Sequence, residues 1–535
     1  MSTPLIGHRE IETKLEVPDG PDWAEIPDPT EDPAVTAIGI AGRRPTETHQ
    51  LDAQYYDTES LDLLSSRVTL RRRTGGHDAG WHLKLPARQE DPRASDHPKL
   101  PQQAEERREW HIPFTADQPA AASSDTVRER GSAGTGDRSA RSVPAPLLRA
   151  VIGTARGRWI GPVARLHTER TVTVLEGADG TPLLEIADDR VSGQRYGDED
   201  TVTWREVEVE LLEGTTDQLH AVVDHLTSRG ATVSRRPSKV GTVLTPSTLP
   251  EAAHTLAGRL LRRSRDSLVT ADRSLRMDVG NAAPLAFSAI RSARAVSELL
   301  GAADRPAAAA LHQWERVVSG ERDVQVGRAL LLGELTDTHV RHADQAHGIV
   351  ELELNRRERR LAEAITSQLD SEEHFALLKD WDELADGGAT PVIEADRIEE
   401  RIDAIWHDLQ DAVDAALSDP DFSSAVADAH GAAVLARDCL LALMPEFVPD
   451  AQMDAEDTVG ALDTVIAALA VHRDARKAAT LVETLADDPM TDGPVGFVLG
   501  RLYALMISTQ HGALEDFGDV WDELGETRLS ISVAG

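Results

Sequence analysis

Charge alternates along four short stretches of this 535-residue chain. The first carries Glu10, Glu12, Lys14 and Glu16, and another carries Glu206, Glu208 and Glu210. Between them lie Arg71 with Arg73, and His82 with Lys84. In an extended strand alternate side chains share a face. The opposite faces are then apolar: Ile11 and Leu15, Leu70, Trp81 with Leu83 and Leu85, and Val207, Val209 and Leu211. A sheet with one wet face also alternates, but such a face mixes signs. Here two strands offer mainly carboxylates and two offer only basic groups. Carboxylates hold a hard divalent cation such as Mg²⁺, and arginine forks match phosphate oxygens in pairs. The combination suits a polyphosphate held with a metal ion. A closed barrel would bring both sets around one lumen without leaving a free strand edge.

The elements that must position these residues are short and β-rich. Strand patterns cover 9–17, 51–57, 67–74, 80–86, 107–113, 164–176, 182–191 and 202–212, most of them bounded by turn residues. Residues 115–143 are Ser/Ala/Gly/Arg-rich and without period, which predicts a flexible insertion in a loop. Helices are expected at 145–155 and 215–229, the second opening on a capping-type sequence, GTTDQL.

After Pro250 the pattern changes. Apolar residues recur at helical spacing, as in Leu462, Val465, Ile466 and Leu469. Helices are predicted at 251–277, 284–301, 305–318, 323–341, 346–369, 373–385, 394–418, 421–444, 455–471, 474–487, 493–510 and 513–524. Residues 251–535 carry 26 Lys+Arg against 52 Asp+Glu, while residues 1–250 carry 30 against 40. That shift predicts two domains of different class, 1–245 and 251–535, the second an all-α bundle.

Composition excludes other functions. A net charge of −36 rules out a generally basic nucleic-acid binder and disfavours an anionic membrane surface. A single cysteine, Cys439, excludes a disulfide framework and a thiolate zinc site. No stretch reads as a leader or a membrane span, so the expected setting is cytoplasmic. Trp23, Trp81, Trp159, Trp204, Trp381 and Trp406 are expected to be packing anchors, and Cys439 to be inert and buried.

In order along the chain, these motifs resemble the CYTH, or triphosphate tunnel metalloenzyme, superfamily. Glu10-x-Glu12-x-Lys14 stands where its signature stands, near the N-terminus. Tyr55-Tyr56-Asp57-Thr58 precedes Leu70-Arg71-Arg72-Arg73. Leu83-Lys84-Leu85-Pro86, Arg107-Arg108-Glu109, the basic pair Arg165 and Arg170, and the acidic pair Glu185 and Asp189 follow. Glu206-x-Glu208-x-Glu210-Leu211 and Ser238-Lys239 complete the series. The resemblance covers about 1–245 and implies an α+β chain opening on an antiparallel eight-stranded tunnel. It implies metal-dependent hydrolysis of inorganic triphosphate or a related triphosphate or short polyphosphate, with Mg²⁺ or Mn²⁺. Carried over by position, Glu10, Glu12, Asp189, Glu206, Glu208 and Glu210 would bind metal. Lys14, Arg71, Arg73, Lys84, Arg165, Arg170 and Lys239 would bind phosphates. Arg71 and Arg73 would stabilise the transferring group, and Lys14 either assists water activation or only binds phosphate. Other members act on thiamine triphosphate or make cyclic AMP, so an adenylate cyclase and a polyphosphate- or nucleotide-binding scaffold with little turnover are the alternatives.

Residues of about 255–525 resemble a CHAD domain, a helical module implicated in polyphosphate binding. Trp314 followed by Gly320-Glu321-Arg322-Asp323-Val324 carries the likeness, with Phe375–Ala389 resembling a later helix-end motif. Two CHAD segments normally carry a histidine and several cations on one helical face. The first reads VGNAAPLAFSAIR, with only Arg291; the second, AHGAAVLARDCLLAL, keeps His430 and Arg437. A polyanion site needs several convergent cations. His430 therefore reads as structural, and the clusters at Arg262-Arg263-x-Arg265 and Arg356-Arg357-x-Arg359-Arg360 as solvated helix faces. Weak or absent binding of long polyphosphate by this half is the expectation.

Overall fold

A computed structural model describes residues 6–18, 23, 25–86, 105–114, 143–234, 236, 238–244, 255–277, 282–302, 305–337, 340–386, 395–418, 423–447, 449–515, 517–518 and 521. The chain divides into two compact units, Met1–Thr248 and Leu249–Gly535. The insertion expected at 115–143 lies, except for Val143, outside the described residues.

Eight long strands build the first unit: β1 Ile6–Glu16, β2 Glu47–Asp57, β3 Thr69–Thr74, β4 Gly80–Pro86, β5 Glu105–Pro113, β6 Gly161–Glu176, β7 Pro182–Arg195 and β8 Thr201–Leu211. Their order is β1-β5-β4-β3-β2-β6-β7-β8, and β8 pairs back onto β1, so the sheet closes. Every pairing is antiparallel. The closing seam sets Glu12 opposite Glu210, Lys14 opposite Glu208 and Glu16 opposite Glu206. The eight-stranded antiparallel tunnel that the resemblance implied is the fold of this unit.

The barrel is polar inside because its apolar faces are claimed from outside. Helix α1 (Thr216–Thr227) starts on a capping box, in which the Thr215 hydroxyl accepts from the Gln218 amide and the Gln218 side chain accepts from the Thr215 amide. Its buried face, Leu219, Val222, Val223 and Leu226, packs with Ile11, Leu15, Leu184, Ile186, Val207 and Val209. Burying each such side chain contributes about 1.5–3 kcal/mol. With the odd-numbered residues of β1 and β8 fixed outward, Glu10, Glu12, Glu206 and Glu208 are turned in. A one-residue slip would reverse the whole set, so the hydrophobic contacts with α1 fix the register of the charges.

The second unit is helical: α2 Leu256–Arg276, α3 Ala282–Leu299, α4 Pro306–Gly327, α5 Ala343–Leu369, α6 Glu372–Ala385, α7 Ala395–Ser418, α8 Ser423–Leu443, α9 Pro449–Ala486 and α10 Gly493–Glu515. Three predicted breaks are absent. The segments expected at 305–318 and 323–341 are one run, α4 continuing through a π-turn at Arg328–Leu332 into Gly333–Asp337. Gly320, between the two expected segments, admits a neighbour: a Cβ there would stand 2.6 Å from Leu361 of α5. Likewise the segments at 455–471 and 474–487 are both part of α9. The third is the break expected at 511–512, through which α10 continues into 513–515; half of the segment expected at 513–524 lies outside the described residues.

Cys439 is buried, as expected, and so are Trp23, Trp81 and Trp381. Trp159 is not a core anchor: it is 53% exposed. Its ring covers Gly161, where a Cβ would fall 1.8 Å from the indole.

Candidate active site

Twelve of the thirteen charged residues singled out in the sequence for metal or phosphate come together inside the barrel. On the acidic wall, Asp189 of β7 and Glu206 and Glu208 of β8 are buried, and each offers a carboxylate oxygen within 4.8 Å of the others. Two cations enter this group. Arg170 of β6 donates to both oxygens of Asp189, at 2.8 and 2.6 Å, and to Glu208 at 2.7 Å. Lys239 stands at its centre, 2.9 Å from Asp189, 2.7 Å from Glu206 and 2.5 Å from Glu208. Ser238 places it there by capping the short helix Lys239–Val243, its hydroxyl accepting from the Gly241 amide. Burial opposes ionisation at Asp189 and Glu208, but Lys239 and Arg170 overcome it and hold both below the ordinary carboxylate range.

Glu10 and Glu12 are also buried, but each is engaged by its own lysine. Lys84 donates to Glu10 and Lys14 donates to Glu12, both at 2.6 Å. The second oxygen of Glu10 is buried with no hydrogen-bond partner among the described residues. Glu210 differs from the rest. Burial, with Glu10 and Glu12 nearby, pushes it up to about 8, so its protonated form is favoured at neutral pH.

The basic wall is β3 and β4, across the ring from β8. Arg71 reaches the Tyr55 hydroxyl at 3.5 Å, and Arg73 pairs with Asp78 of the β3–β4 hairpin. Burial first, then Arg71 and Arg170, push Arg73 down to about 9. Its charge is nonetheless partly met by Asp78, and Arg71 lies 3.9 Å from Glu109. The Nε atoms of both arginines are buried without a hydrogen-bond partner among the described residues. A buried donor left unmade costs about 1–3 kcal/mol. The space between the walls is a cavity of about 250 Å³.

Arg165 is the exception. It lies on the outside of the barrel, half-exposed, 3.2 Å from Asp52. The cause is parity: five residues separate it from Arg170, and an odd step along a strand reverses the face. Several lumen residues went unassigned in the sequence. Glu109 receives His82 at 2.6 Å and lies 3.5 Å from Lys84, and Arg107, Glu185 and Tyr55 line the same cavity. Arg107 and Glu109 alternate on β5 as the assigned residues do on their strands, so the signal was present.

Residues 8–239 match the family model described as the CYTH domain. The barrel is a CYTH domain. CYTH enzymes act on triphosphate-type substrates and generally depend on a divalent metal. The chain is 32% identical over 296 residues to uncharacterised proteins from two strains of Mycobacterium tuberculosis, covering 51% of this chain and 49% of theirs. It thus spans about half the length of the curated relatives it matches. Among solved structures it is similar to PptA from Streptomyces chartreusis, with a TM-score of 0.43, 18% identity, 52% of this chain and 100% of that one. It is also similar to the CHAD domain from the plant Ricinus communis, with a TM-score of 0.43, 13% identity, 54% of this chain and 97% of that one.

Among the described residues the helical unit gathers cations too: Arg357, Arg360, Arg473, Arg476 and Lys477 line one cavity, with Asp323 and Asp474 among them. The unit's arginines are mostly closed by carboxylates. Arg291 holds Asp438 through two bonds of 2.7 and 2.6 Å, Arg437 holds Asp463 at 2.7 Å, and Arg263 pairs with Glu446. His430 accepts from Arg473 at 3.1 Å, and burial with Arg473 pushes it down to about 4, so it is a neutral packed group. The second arginine cluster is more than a wet face: Arg357 and Arg360 help to line a cavity of about 610 Å³ floored by Leu354 and Leu361. Among the described residues, no helix is long and apolar enough to cross a membrane.

Proposed function

We propose that the CYTH barrel hydrolyses inorganic triphosphate or a short linear polyphosphate with a divalent metal. The observation that carries this reading is the pairing of three buried carboxylates with two arginines whose Nε donors lack partners, on opposite walls of one small lumen. The donor set is all oxygen, as a hard ion requires, and Lys239, which fills its centre, would have to withdraw for an ion to enter. Asp189, Glu206 and Glu208 would hold Mg²⁺ or Mn²⁺, which when bound supplies charge neutralisation at the phosphate oxygens and a polarised water.

The chain's own residues do the rest. Arg71, Arg73, Lys84 and Arg170 orient the phosphates in line, and Lys14 adds a cation from the β1 face. The two orphaned guanidinium edges take the charge that spreads over the transferring group. Water attacks the terminal phosphorus, the bridging P–O bond breaks, and phosphate and diphosphate leave. Lys239 and Arg170 already neutralise the acidic wall, so an incoming anion does not meet bare carboxylates. A lumen of about 250 Å³ is smaller than the roughly 300–1,000 Å³ of sites that enclose a drug-sized ligand. A bare phosphate chain therefore suits it better than a nucleotide.

The test is phosphate release from tripolyphosphate with Mg²⁺ and with Mn²⁺. Glu208→Gln should lose about 10²–10³-fold or more in kcat while circular dichroism stays unchanged. Unaltered release in that variant would remove the proposed site.

A further inference from the structure

The β3–β4 hairpin crosses the start of β2 at very short range. Gly75 makes this possible: its φ is +82°, and a Cβ there would lie 2.0 Å from the Gln50 carbonyl oxygen. No other residue fits both constraints. The crossing lays His77 over the strand end, where Glu47 and His49 sit two apart and share a face. His77 Nε2 is 3.3 Å from Glu47 Oε2, and His49 Nε2 is 3.6 Å from the same oxygen. The two imidazole rings meet edge-on, 5.0 Å apart at 77°. One ligand atom from each residue lies within 4.8 Å of the others.

We propose that Glu47, His49 and His77 form a second metal site, for a borderline ion of the Zn²⁺ class. Tetrahedral Zn²⁺ with bonds of about 2.0–2.1 Å separates its ligand atoms by roughly 3.3–3.5 Å. The two distances to Glu47 match that edge closely. An ordinary surface ion pair needs one histidine, whereas here two converge on one carboxylate oxygen. Two imidazoles and a carboxylate form a donor set for Zn²⁺ rather than Mg²⁺, and positions left open would go to water. The all-oxygen group of Asp189, Glu206 and Glu208 has the opposite preference. The barrel thus carries two sites that select by donor type.

Filling the second site would tie the hairpin to β2. The residue after His77 is Asp78, whose carboxylate pairs with Arg73 and whose carbonyl lies 2.9 Å from His82 Nε2. The ion would therefore fix the loop that braces one of the two phosphate-facing arginines. It needs no role in hydrolysis, and the site stands or falls apart from the triphosphatase reading.

The experiment uses the full chain in excess Mg²⁺, titrated with Co²⁺ as a spectroscopic probe of low-coordinate nitrogen-oxygen sites. One equivalent of intense visible d–d absorption is expected, displaced by Zn²⁺. His77→Ala, at an 84% exposed side chain, should weaken it at least tenfold without shifting the melting temperature. His49→Ala should do the same, and Glu208→Gln should leave it intact. Absence of the bands in the wild type would overturn the site. So would bands unchanged in His77→Ala, or bands lost in Glu208→Gln and kept in both histidine variants.

Discussion

Both units bury arginines, and they treat them differently. In the helical unit Arg276, almost wholly enclosed, donates twice to Asp272 at 3.0 Å and once to Asp370 at 2.7 Å. Arg291 is similarly forked onto Asp438. In the barrel, Arg71 and Arg73 keep Nε donors with no partner among the described residues, and Arg73 is pushed down to about 9 by burial and two neighbouring arginines. Arg273 of the helical unit, with an unpartnered Nη1, shows that the contrast is one of degree. A closed pair spends its electrostatics on holding the fold. An open one stores unmet hydrogen-bonding capacity that a ligand can satisfy.

That contrast can be broken at its strongest point first. Arg276→Ala leaves Asp272 buried and short of its fork, so unfolding free energy should fall by about 3–5 kcal/mol in denaturant melts. Phosphate release per folded molecule should not change; a stable variant would mean that the pair is not closed in solution. Arg73→Ala should do the reverse, lowering kcat for tripolyphosphate by about 10²-fold while the melting temperature holds or rises. A large loss of stability with normal turnover would place Arg73 among the structural arginines.

Glu210 sharpens the comparison through pH. Its carboxyl is pushed up to about 8 from an ordinary 4.5, so the folded protein binds this proton more tightly than the unfolded chain does. The stabilisation is complete below about 4.5 and is lost as pH rises through about 8. Glu210→Gln imitates the protonated form. In metal-free buffer it should melt increasingly above the wild type from pH 5 to pH 9, by up to about 2 kcal/mol once water in the lumen is allowed for. A gap that does not change with pH would show Glu210 ionised throughout. The smallest effect belongs to Arg165→Ala, which removes an exterior arginine paired with Asp52. Activity should stay within about twofold and stability within about 0.5 kcal/mol.

Much of the lumen was legible because a strand's period is two and its apolar face declares itself. Ile11, Leu15, Val207 and Val209 identified the outside, and Glu10, Glu12, Glu206 and Glu208 followed. What alternation cannot supply is the register between strands. Alternation with Arg107 gives the face of Glu109, but that it stands opposite Lys84 and His8 is written nowhere in its own segment. Arg165 was misplaced by matching a motif without counting parity. In the helical unit the break expected between 318 and 323 is absent, and the close approach of Leu361 to Gly320, inside one continuous helix, depends on a neighbour that the local sequence does not show. His77 carries no period at all, since it reaches Glu47 only through the fold of a glycine turn.

Helix α9 runs through 38 residues, roughly 57 Å end to end. Its N-terminal part, through Leu469, lends Ala455, Val459, Leu462, Val465 and Leu469 to one hydrophobic cluster, and its C-terminal part lends Ala478, Ala479, Leu481 and Val482 to another. Two cores threaded on one rod cannot melt independently without snapping it between them. The acidic half of the chain should therefore behave as a single cooperative block, and a wound to either core should be felt by both.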